Sequence, residues 1–207
     1  NRYNFTVHNT TNLLNDRMTL DLGASYIIQN DRNMINQGVY NNPLVTAYLY
    51  PRGNDYQDMA MFEHYDTTRK IYLQNWNGLI SELVGQNPYW INFRTPRTNK
   101  KHRYMLNAGL SYKFTDWLNL SARIRIDNST NTYQEKFYAS TSMTLTGSNN
   151  GLYGVQESNY QQTYGDVLAN VNKRFFNDQL SLTANLGISL SDMKQNMIGN
   201  KGPIDEN

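Results

Sequence analysis

Three times along the chain a two-residue polar turn is followed by strict alternation of apolar and polar side chains. The turns are Asn15-Asp16, Thr115-Asp116 and Asn177-Asp178. Every second residue after each Asp is apolar or aromatic: Met18, Leu20, Leu22, Ala24, Tyr26 in the first unit. The second unit has Leu118, Leu120, Ala122, Ile124, Ile126, and the third has Leu180, Leu182, Ala184, Leu186, Ile188. The interleaved positions are small or polar, and only Trp117 interrupts them. A period of two is the signature of a β-strand, because successive side chains leave opposite faces of the pleat.

A second alternating run precedes each turn: Tyr104, Leu106, Ala108, Leu110, Tyr112, Phe114 in the middle unit, and Val167, Ala169, Val171, then Phe175 in the last. The first unit is weaker, with Tyr3, Phe5, Val7 and Leu13. The pattern predicts three antiparallel hairpins, over about 3–29, 102–129 and 160–192, giving about six strands in one partial β-barrel domain spanning 1–207. Asn and Asp tolerate the left-handed or Asx-turn backbone that such short turns require. The connections between hairpins, about 31–101 and 130–159, are long and rich in Asn, Gly and Tyr.

Short turns alternating with long loops are expected of an outer-membrane barrel, with the turns periplasmic and the loops extracellular. Three of the strands keep their alternation for ten or more residues, long enough to cross a bilayer, which takes about 9–11 residues. The alternative all-β fold, a soluble sandwich, uses strands of about 5–6 residues. The aromatics agree with a membrane placement: Phe114, Trp117, Phe175 and Phe176 flank the short turns, and Tyr26, Tyr104 and Tyr133 lie towards the other ends. Two aromatic girdles bracketing an aliphatic band suit the two lipid–water interfaces. The fold class expected is therefore all-β: an antiparallel transmembrane barrel segment in a bacterial outer membrane.

Composition narrows the function. Only 39% of residues are apolar but 13% are aromatic, including 16 Tyr, and the mean hydropathy is −0.71. The negative hydropathy fits a barrel, since only alternate residues meet lipid. No apolar run approaches the roughly 18 residues of a membrane helix. The net charge of +2 is spread in both signs, so nothing marks a nucleic-acid surface. The chain has no Cys, which removes disulfides and thiolate metal sites. It begins without Met and ends in a polar stretch, and reads as an internal segment of a longer protein.

Two loop segments carry a family resemblance: Tyr48-Leu-Tyr-Pro-Arg-Gly53 after Asn42-Pro43-Leu44, and Gln86-Asn-Pro-Tyr-Trp90 after Trp76. They resemble the SusC/RagA family of TonB-linked outer-membrane proteins. The opening Asn1-Arg-Tyr-Asn-Phe5 and the turn Phe114-Thr-Asp-Trp-Leu118 resemble the early barrel of that family. The resemblance implies a 22-stranded barrel with an N-terminal plug, driven through the TonB complex and capped by a SusD-like surface lipoprotein. It also implies import of oligosaccharides or peptides. The plug, the TonB box and the other strands are absent from this chain.

Candidate contact residues divide between loop and strand. Trp76, Tyr89 and Trp90 lie in the first long loop, where aromatics could stack on sugar rings, meet the lipoprotein, or pack the loop itself. Arg123, Arg125 and Asp127 alternate on the non-lipid face of one strand, and are expected to line the lumen or meet the plug. On the lipid face each charge would cost about 2–4 kcal/mol. The acidic residues Asp55, Asp58, Glu63 and Asp66 have no EF-hand spacing and are read as a solvated loop face. His8, His64 and His102 show no paired metal-ligand spacing, and no nucleophile or phosphate-binding motif occurs. No metal, cofactor or catalytic residue is expected. A passive porin or another outer-membrane barrel is the competing membrane function, and a soluble β-sandwich binding protein the competing soluble one.

Overall fold

The computed structural model describes residues 1–35, 38–76, 85–177 and 179–205. The alternating segments form six long strands: β1 (Arg2–Leu13), β2 (Met18–Arg32), β5 (Arg97–Thr115), β6 (Leu118–Phe137), β7 (Leu152–Phe175) and β8 (Leu180–Pro203). They lie in one sheet in the order β1-β2-β5-β6-β7-β8, a meander of sequential neighbours. A separate two-stranded hairpin, β3 (Glu63–Asp66) with β4 (Ile71–Gln74), belongs to the first long connection. So do the short helices α1 (Pro43–Tyr48) and α2 (Pro88–Arg94), while α3 (Met143–Thr146) lies in the second connection.

Pairing of β1 with β2 sorts side chains by face. Phe5 stands opposite Tyr26 and Val7 opposite Ala24, whereas Thr6 faces Ser25 and Thr10 faces Asp21. A slip of one residue would exchange these faces. The first turn takes in more than the Asn-Asp pair: Leu14, Asn15 and Asp16 all have positive φ (54°, 52° and 62°), and Arg17 N donates to Leu14 O at 3.2 Å. In the second turn Thr115 Oγ1 accepts from Leu118 N at 3.0 Å. In the third, Phe176 and Asn177 are left-handed (53° and 50°), and Asp178 lies outside the described residues.

The strands run further than the alternation suggests. The second hairpin extends over Arg97–Phe137 rather than about 102–129, and the third over Leu152–Pro203 rather than about 160–192. In the extensions the strict alternation is lost, as in Arg97–Lys101 and Thr130–Lys136, while the backbone ladder continues.

Two compact units share the chain. One comprises Asn1–Gln29, Lys101–Asn131 and Ser158–Met197, and is almost pure sheet. Among its described residues only Ile27 is a buried hydrophobic. The other comprises Asn30–Lys100, Thr132–Glu157 and Ile198–Asn207, and holds the short helices and the β3–β4 hairpin. Its core is conventional, with Trp90, Met59, Ile91, Leu152 and Phe137 buried.

In this second unit Gly151 has φ +99°, and a Cβ there would collide with the Phe137 carbonyl oxygen. That neighbour is backbone and cannot swing aside, so both the conformation and the space demand glycine. Gly151→Ala is expected to destabilise the unit by about 1–3 kcal/mol. The urea midpoint of proteolytic protection around residues 138–151 in the detergent-solubilised protein measures it.

Candidate functional site

The polar face of the sheet unit is built by cross-strand pairing of its charges. His8 Nε2 lies 2.9 Å from Asp21 Oδ2, which also accepts from Thr10 Oγ1 at 3.0 Å. Arg103 on β5 makes a two-pronged bond to Asp127 on β6, with Nε donating to Oδ1 at 2.8 Å. Arg123 on β6 donates through Nε to Asp166 Oδ1 on β7 at 3.0 Å. Planar guanidinium–carboxylate pairing of this kind fixes direction as well as charge.

Arg123 and Asp127 are thus engaged by partners that the single-strand pattern did not supply. A signal for those partners existed: Arg103 and Asp166 sit at interleaved positions of their own strands, next to apolar Tyr104 and Val167. Arg125 differs, since among the described residues no carboxylate lies within ion-pair distance of it. It borders a cavity of about 580 Å³ together with Asn107, Asp127, Gln162 and Tyr164.

The opposite face is apolar, and among the described residues its large side chains are exposed. Val7 is 71% exposed, Leu186 79% and Ile188 67%, and Phe5, Leu106, Leu110, Ile124 and Val167 are exposed as well. Aromatics bound this band. Towards the turns, Lys173 Nζ stands 4.6 Å from the Trp117 ring centroid and 5.3 Å from that of Phe175. A lysine there keeps its stem on apolar surface while its ammonium meets the ring faces. On β2, the Tyr26 hydroxyl lies 2.9 Å from His102 Nδ1. Tyr133, expected in this girdle, is on the other face: it shares the odd-numbered register of Arg123 and Asp127, and its hydroxyl donates to Glu135 Oε2 at 3.2 Å.

The loop unit is organised by two Asn-Pro steps. Asn42 caps α1 by accepting from Leu44 N at 3.0 Å, and Asn87 caps α2 by accepting from Tyr89 N at 2.9 Å. Proline follows each cap at the first helical position, where its missing N–H costs nothing. Both steps lie within the segments that carry the family resemblance, so those segments are legible as helix starts. Behind the caps, Gln86 Nε2 donates to Asn41 Oδ1 at 3.1 Å, while Gln86 Oε1 accepts from Ser142 N at 2.9 Å. Asn87 Nδ2 donates to Met59 O at 2.9 Å. These buried amides are satisfied by one another and by backbone, as burial requires.

The three loop aromatics have separate environments. Trp90 has no exposed surface, and its indole N–H donates to Thr141 Oγ1 at 3.0 Å. Its ring packs the interior of the loop unit, one of the roles that the sequence left open beside sugar stacking and lipoprotein contact. Tyr89 is half-buried and joins Phe62 and Phe93 in a stack with centroids 5.6–6.5 Å apart. Trp76 stacks on Tyr50 at 5.7 Å, and its buried indole nitrogen has no hydrogen-bond partner among the described residues. The acidic residues serve the loop locally. Asp55 and Asp66 accept backbone N–H groups of Gln57 and Thr68, and Glu63 binds Arg94 through two bonds of 2.6 and 2.7 Å. The hydrogen bond to Glu63 raises the Arg94 pKa above its ordinary value against the opposing effect of burial. No three metal-ligating side chains converge among the described residues.

No protein-family model and no curated protein sequence matches the chain. Solved structures do match it. One of them is the RagAB peptide importer in its open-open state. The TM-score is 0.59 at 14% identity, and the match covers 99% of this chain but only 22% of that one. The chain therefore has the fold of about a fifth of the matched RagAB chain. At this identity the likeness shows the fold alone: a mostly antiparallel six-strand meander of the kind found in a barrel wall.

Proposed function

We propose that the chain is a barrel-wall segment of a bacterial outer-membrane nutrient importer of the SusC/RagA type. The observation that carries this reading is the sheet unit's lack of a core. Among the described residues its apolar face is exposed, and its opposite face carries charges that are largely paired across strands. A sheet of this kind suits lipid on one side and a hydrated lumen on the other. A soluble sandwich would need a second sheet over the apolar face. The family resemblance of the two loop segments and the fold shared with a peptide importer support the same reading.

In this reading the barrel is a conduit and makes or breaks no bond. Arg123, Arg125 and Asp127 face the lumen or the plug, with Arg125 available for a carboxylate. The loops face outward, and Tyr89 with its stacked neighbours Phe62 and Phe93 meets a SusD-like lipoprotein. Trp76 contributes to the same capture surface. Energy comes from the TonB complex through the N-terminal part of the full protein, and the cargo is a peptide or an oligosaccharide.

Orientation supplies the test. Single cysteines at Asn54 and Asp116 of the full-length protein, probed in intact cells with a membrane-impermeant maleimide, should react at 54 and be protected at 116. Equal labelling of the two would refute the proposed topology.

A further inference from the structure

The loop unit contains a pocket of about 560 Å³, within the size range of small-ligand sites. Its floor is apolar, with Trp90, Phe137 and Leu152 buried and Ile71 beside them. Its rim is basic and aromatic. Lys70, on the β3–β4 turn, and Lys136, near the end of β6, both line it. Neither lysine has a carboxylate partner among the described residues. Lys136 Nζ stands 5.9 Å from the Tyr153 centroid, and Tyr153 is held by a 2.7 Å bond from Gln134 Nε2 to its hydroxyl. Arg94 also borders the pocket, but Glu63 neutralises it and it lies between Tyr72 and Tyr138, 5.6 and 5.2 Å from their centroids.

These features select a ligand. Two ammonium groups without counter-charges favour an anion at the rim, and the buried floor favours an apolar group attached to it. Sugar hydroxyls are poorly served, since among the described residues no Asp or Glu lines the pocket, and Asn150 is occupied by Arg69 and the Asp205 carbonyl. We infer that this pocket binds the C-terminal residue of a peptide, with its carboxylate on Lys70 and Lys136 and its apolar side chain against Ile71, Phe137 and Leu152. Capture of a chain terminus by fixed donors is a recurring mode of peptide recognition. The inference rests on the import reading and narrows its cargo to peptides with a free, apolar C-terminal residue.

Titration of the full-length protein in detergent with N-acetyl-Leu-Phe, its C-terminal amide, maltotriose and lipid A tests it by calorimetry. The free acid should bind about tenfold or more tighter than the amide, because charge-assisted bonds are lost with the carboxylate. K70Q/K136Q should weaken the acid to the level of the amide and leave the amide unchanged. Equal affinity of acid and amide, tighter binding of maltotriose or lipid A, or no binding of the acid would each overturn the assignment. Uptake of labelled peptide is measured separately: binding of the acid without any uptake would sink the import reading and leave the pocket standing.

Discussion

Ile124→Arg in the full-length protein should lower the fraction of folded barrel in the outer membrane sharply, while Ser121→Arg should not. Ile124 is 48% exposed on the apolar face, three residues along the same strand from Ser121 on the polar face. An arginine near the bilayer midplane costs about 2–4 kcal/mol, because its charge must leave water without a partner. Facing the lumen, the same side chain stays hydrated. The heat-modifiable mobility of the barrel on gels, and its refolding yield into vesicles against urea, report the difference. Similar losses for both variants would mean that the apolar face does not meet lipid.

Trp90→Ala should unfold the loop unit while the sheet survives. The indole is wholly buried and binds Thr141, so its removal leaves a cavity and an unpaired hydroxyl. Truncation of a buried Trp costs about 3–5 kcal/mol. Trp90→Phe keeps most of the apolar volume and loses mainly the hydrogen bond, at a cost of about 1 kcal/mol. Hydrogen exchange of the detergent-solubilised protein separates the two. The alanine variant should lose protection over α2 and residues 138–146 with strands β5 to β8 unchanged near their turns. Retained protection in the alanine variant would show that the loop unit does not depend on this core.

Both predictions follow from one contrast. The loop unit stabilises itself as a small soluble domain does, around buried Trp90, Met59 and Ile91. The sheet unit buries only Ile27 among its described hydrophobics. Its cohesion within the chain is the backbone ladder plus cross-strand side-chain pairs such as Arg103–Asp127, and the rest of its stabilisation must come from the medium around it. An open sheet also leaves strand edges whose N–H and C=O groups need partners in hydrocarbon, which barrel closure provides.

The sequence by itself determined the six strands, their pairing into hairpins, and which residues share a face. A period of two is a local property of the backbone, and each turn lies between the strands it joins. Placing Arg123, Arg125 and Asp127 on the polar face required nothing more. Which of them was engaged was decided by the tertiary structure, because Asp166 and Arg103 come from neighbouring strands whose register depends on backbone pairing across the sheet. The fate of the loop aromatics was likewise decided there. Trp90 and Tyr89 are adjacent in sequence, yet the helical turn that Asn87 caps sends one ring inward to Thr141 and leaves the other stacked with Phe62 and Phe93. Tyr133 moved to the polar face for the opposite reason: its strand parity was readable throughout, and an aromatic near a strand end belongs to a membrane girdle only when that parity points it at lipid.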